Sequence, residues 1–101
     1  MVLVNAIGWF FSGVILVNVL PHLINGISGD KFPSAFAKPH GRKLSSSTSN
    51  VIWAFINLLI FVTIFHFNKY SFTELYGFIM LIGGFIMAIY LSIFFANKDK
   101  E

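Results

Sequence analysis

Residues 75–97 read LYGFIMLIGGFIMAIYLSIFFAN and contain no Asp, Glu, Lys or Arg. A hydrocarbon core of ~30 Å is crossed by about 20 apolar residues in a helix, so this stretch alone is long enough to span a bilayer. Working outward, the same absence of charge recurs over residues 1–29 and 44–68. The 7 Lys+Arg and 4 Asp+Glu of the 101 residues all fall in three short stretches, 30–43, 69–74 and 98–101. Three apolar helices follow: a first span over 2–24, a second over 51–67 and a third over 72–96. They are joined by a polar basic loop over 26–50 and followed by a charged tail over 97–101. Strands are excluded because three of them cannot close a membrane barrel, and open sheet edges are not tolerated in lipid. The expected fold is an all-α polytopic membrane protein forming a single transmembrane domain.

Composition excludes the other classes. Apolar residues make up 56% of the chain and charged residues 11%, with 13 Phe, whereas an average soluble domain is ~25% charged. A water-soluble globule of this size is mostly surface and cannot be covered by so few polar side chains. Disordered chains are poor in aromatics. The lack of cysteine removes disulfide and thiol chemistry. The first residues lack the basic segment of a cleaved leader, so the first apolar stretch is expected to remain as a span.

With three spans, the long loop and the C-terminus share one side. That side carries Lys31, Lys38, Arg42, Lys43, Lys98 and Lys100, against Lys69 and the N-terminal amine on the other. The positive-inside rule then places the N-terminus outside, and the loop and C-terminus in the cytoplasm.

Within the spans, polar and small residues mark contacts. Asn5, Gly8 and Ser12 lie on one stripe of the first span, which Asn18, His22 and Asn25 continue. Pro21 predicts a kink or a helix end. Asn50, Trp53 and Asn57 share a face of the second span. Gly84, Ala88 and Ser92 form a small-residue stripe in the third, with Gly77 one heptad earlier. Such stripes let backbones approach closely, and amide bonds between helices are worth roughly 1 kcal/mol each. Asn5, Gly8, Ser12, Asn57, Gly77, Gly84, Ala88 and Ser92 are therefore the expected packing or oligomer seam. Thr48, Ser49 or Asn50 is expected to cap the second span.

The loop reads GISGDKFPSAFAKPHGRKLSSSTSN over residues 26–50. Its glycines and prolines argue against a long helix. Phe32 and Phe36, beside Pro33, favour an ordered or interfacial segment over a free linker. His22, Lys31, Lys38, His40, Arg42, Lys43 and Ser45 form the candidate site, where cations and hydroxyls suit an anionic headgroup. His22 or His40 with Asp30 is the one arrangement that resembles a general base pair, and no residue is assigned a catalytic role. His22 and His66 sit at opposite ends of their spans, roughly 20 Å apart along the helices, too far to share a metal or haem within one chain. No metal-ligand spacing and no phosphate-binding glycine loop is present. No cofactor and no nucleic-acid partner is expected.

The length invites comparison with small multidrug transporters, but those have four spans and a glutamate embedded in the first. The readings that remain are a small homo-oligomer binding or transporting a lipophilic or anionic small molecule or lipid, an accessory subunit of a larger membrane complex, and a lipid-modifying enzyme. A channel is weakened by the lack of a charge ring or filter-like segment. For the orientation, H40C is expected to resist an impermeant maleimide applied from outside, while a cytoplasm-dependent reporter fused after Glu101 is active. Labelling of H40C from outside would reverse the topology.

Overall fold

A computed structural model describes residues 2–100. It contains three long helices: α1 (Leu3–Ile27), α2 (Ser47–Asn68) and α3 (Glu74–Phe94). All three are long and apolar enough to cross a membrane. Among the described residues there is no strand, only an antiparallel bridge between Phe32 and Ser45.

The helix ends show how local chemistry sets each element. α2 starts before its apolar run because Ser46 caps it, the hydroxyl accepting from the Ser49 N–H at 3.1 Å. Thr48, Ser49 and Asn50 thus lie inside the helix rather than at its cap. Thr73 caps α3, accepting from the Tyr76 N–H at 3.4 Å, and Glu74 occupies the first turn, where the helix dipole favours an acid. α1 runs through Pro21 to Ile27 instead of stopping. The turn after Pro21 carries an additional bond within the helix, Asn25 Nδ2 donating to the Pro21 carbonyl at 2.7 Å.

α1 is the central helix. It packs along both α2 and α3, which make little contact with each other. Its contact with α3 is backbone against backbone. A Cβ on Gly13 would collide with the Met80 carbonyl, and one on Gly83 with the Phe10 carbonyl. Gly84 lies against Val17. Against α2, a Cβ on Gly26 would come within 2.9 Å of the Ser47 carbonyl, and Asn18 donates to Asn57 Oδ1 at 3.1 Å.

At the end away from the loop, Trp9 is 1% exposed and its indole N–H donates to Ser71 Oγ at 3.0 Å. Phe65 and Phe72 pack edge-on against that ring at 5.8 and 5.0 Å. The Val2 N–H donates to the Tyr76 hydroxyl at 3.2 Å.

Polarity is distributed in the opposite sense to a water-soluble globule. Ser12, His22, Asn50 and Asn57 are buried, while Phe55, Leu59, Leu81, Phe85 and Ile93 are exposed.

G13A is expected to destabilise the fold by about 2–3 kcal/mol, because a backbone carbonyl must move. G84A should cost less, since its Cβ would meet a valine methyl at 3.0 Å that can shift. Thermal unfolding of the two variants in detergent checks the order.

Candidate functional site

The connection between α1 and α2, residues 28–46, is folded onto the helix ends. Gly29, at φ 79°, reverses the chain after α1, and the Asp30 N–H returns to the Asn25 carbonyl at 2.9 Å. Phe32 and Ser45 exchange backbone bonds of 3.2 and 3.0 Å. Their neighbours close the neck further, with the Ser34 and Ser45 hydroxyls 2.6 Å apart. At the tip, Gly41 adopts φ 80° with the Phe94 ring against it, so a side chain there would meet both strain and a clash. The Asp99 N–H donates to the Arg42 carbonyl at 2.8 Å and ties the tail to the loop.

One side chain joins these parts. Asn50, in the first turns of α2, is fully buried. Its Nδ2 faces the carbonyls of Phe32 at 2.7 Å, Ser46 at 3.0 Å and Ser45 at 3.4 Å. Its Oδ1 lies 2.8 Å from His22 Nδ1. Carbonyl oxygens only accept, so the amide nitrogen must face them and the amide oxygen must face the histidine. Nδ1 of His22 therefore carries a proton and donates it to Asn50. The imidazole is 2% exposed, with Phe32, Phe95 and Trp53 edge-on at 5.6, 6.0 and 6.4 Å.

Beside His22 is a cavity of about 220 Å³. α1 contributes Asn18 and His22, α2 contributes Trp53, α3 contributes Met87, Tyr90, Leu91 and Phe94, and the loop closes it with Pro33, Ser34 and His40. It sits in the cleft left because α2 and α3 both pack on α1 rather than on each other. No Asp, Glu, Lys or Arg lines it.

The residues singled out in the sequence divide between places. His22 and His40 line this cavity. Lys31, Lys43 and Ser45 line a separate, polar cleft of about 440 Å³ with Ser46, Asp99 and Lys100. Lys38 and Arg42 are exposed and line neither. Of the expected seam, Gly8 meets the Asn68 side chain, Ser12 is buried with its hydroxyl on the Gly8 carbonyl at 2.9 Å, and Gly77 abuts Phe72. Asn57 accepts from Asn18, and its own Nδ2 returns to the Trp53 carbonyl at 2.9 Å. Asn5 is half-buried. Gly84 is used within the chain, whereas Ala88 and Ser92 are exposed along a groove between α1 and α3. Among the described residues, no three His, Asp or Glu come together as a metal site.

Sequence reasoning placed Asn50 and Trp53 on a shared face but did not find that Asn50 organises the loop or that Ser34 and Tyr90 help to form a cavity wall. The available signal was an amide directly after a serine run, opposite a histidine in the preceding apolar segment.

Removing the Asn50 amide orphans the buried His22 ring N–H, at ~1–3 kcal/mol, and strips the carbonyls of Phe32, Ser45 and Ser46 of their second donor, leaving each only its backbone partner. N50A and N50D are both expected to lose about 2–4 kcal/mol of stability and to open the loop to trypsin after Arg42 and Lys43. Unchanged proteolysis in both variants would refute Asn50 as the clamp. Comparison of the chain with family models, with curated proteins and with solved structures finds no match.

Proposed function

We propose that this chain is a small integral membrane protein that binds, and as an oligomer carries, a lipid-like molecule in the cavity between α2 and α3 at the loop end. The observation that carries this reading is the cavity itself. It has apolar and aromatic walls drawn from all three helices, with a few polar groups converging from α1 and the loop, the usual make-up of a small-molecule site.

The outward display of Phe55, Leu59, Leu81 and Phe85 supports lipid as the surrounding solvent. The charge asymmetry supports an external N-terminus and a cytoplasmic loop and tail. On that face, the cleft lined by Lys31, Lys43 and Lys100 suits anionic headgroups of the bilayer surface. Self-association draws on the groove where Ala88 and Ser92 remain exposed, since small residues admit a neighbouring helix closely. The same groove fits the alternative reading, an accessory subunit docked on a larger membrane complex. Lipid modification draws less support, because no carboxylate lines the cavity beside His22 and His40.

Native mass spectrometry from mild detergent tests both parts. The expected result is an oligomer retaining amphiphile adducts. Ala35 is exposed on the rim of the cavity, so A35W fills the space with little demand on the fold. It is expected to lower adduct retention about ten-fold or more, because a filled cavity must be overpacked to take a guest. Equal retention in A35W would remove the cavity from the proposal, and a strictly monomeric species would remove the oligomer.

A further inference from the structure

The hydrogen-bond directions in the α1–α2 interface decide what kind of head group the cavity accepts. Asn50 presents its oxygen to His22, so Nδ1 holds a proton; a ring buried with no carboxylate beside it is neutral, because a buried charge needs a partner, and Nε2 is left as an acceptor. Nε2 has no partner among the described residues, yet none of their buried side-chain nitrogens or oxygens is both sealed and unpartnered. His22 is 2% exposed and lines the cavity, so its Nε2 opens there.

A second amide is oriented in the same way. Asn57 spends its Nδ2 on the Trp53 carbonyl and so turns its oxygen to Asn18, which must donate. The Asn18 oxygen is then also an unpartnered acceptor, and Asn18 lines the same cavity. Trp53 and Tyr90 lie on that lining too, and their N–H and O–H groups have no partner among the described residues.

Charge narrows the choice of guest. An anionic head would meet two acceptors and no cation within the cavity. A cationic head would be desolvated without a carboxylate to pair with. A neutral hydroxyl donates to one acceptor and still takes a bond from an N–H or O–H. Resting on the cavity reading above, we propose that the guest is an uncharged, hydroxyl-headed amphiphile, oriented by a hydrogen bond from its O–H to His22 Nε2 with Asn18 Oδ1 as the neighbouring acceptor.

The test uses the full chain in lipid nanodiscs, labelled with ¹⁵N-histidine, with the His22 signals assigned by comparison with H40N and H66N. Without guest, Nδ1 should appear protonated and Nε2 unprotonated. 1-Decanol should shift the Nε2 resonance saturably, and decyl methyl ether, which has no O–H to donate, should bind about ten-fold more weakly. Decanoate and decylamine should be weaker than the alcohol. Equal binding of ether and alcohol, tighter binding of decanoate or decylamine, or a proton on Nε2 in place of Nδ1 would overturn the hydroxyl assignment while leaving the cavity as a lipophile site. If none of the four probes binds, the cavity reading itself falls, and this inference with it.

Discussion

The Asn50 amide is the constraint on which the loop end depends. The carbonyls turned inward at the neck of the 28–46 connection accept from backbone N–H groups and still have a second lone pair to fill. A single side chain meets the carbonyls of Phe32, Ser45 and Ser46 on its donor side and the His22 ring on its acceptor side. The end of α1, the two arms of the loop and the start of α2 are thereby registered against one another. In a low-dielectric setting such a network is of high consequence, strong when complete and costly when broken. This accounts for order in a long connection rich in glycine and proline.

The cavity is a consequence of how α1 is shared. Gly13 and Gly83 let α1 and α3 approach at the level of their backbones, and Gly26 lets α2 approach α1 near the loop. Both partners are drawn to the same central helix, and a cleft remains between them. At one end it is filled by Trp9 with Phe65 and Phe72. At the other end the loop covers it without filling it, and the space beside His22 stays open. The difference lies in side-chain volume: an indole occupies the first position, and an imidazole held back by Asn50 the second.

Polarity follows the same division. The interior bonds that fix the helices at the loop end join amides to an amide, an imidazole and carbonyls, and the groups left over, His22 Nε2 and Asn18 Oδ1, belong to residues that line the cavity. Charges stay on the two connections, the first turn of α3 and the tail. The candidate site is therefore neutral and acceptor-rich inside and basic outside, two environments that the run of residues from His22 to Ser45 does not separate when read along the chain.

Much of the fold was legible from the sequence. Three charge-free stretches dictate three apolar helices, because a helix satisfies its own backbone wherever water is scarce, and the polar stripes at Asn18, His22, Asn50 and Asn57 mark the faces that meet. The site was legible only in part. His22 and His40 share the cavity wall, but Lys31, Lys43 and Ser45 belong to another cleft, and Lys38 and Arg42 to neither. Helical periodicity says which residues share a face of one element, and charge spacing says which end of the bundle a residue occupies. Neither says how a loop turns back on itself. That was decided by tertiary structure alone, through the bridge between Phe32 and Ser45 and the amide of Asn50. Hydrogen-bond partners remote along the chain are chosen by the geometry of the packed helices, and no local pattern encodes that choice.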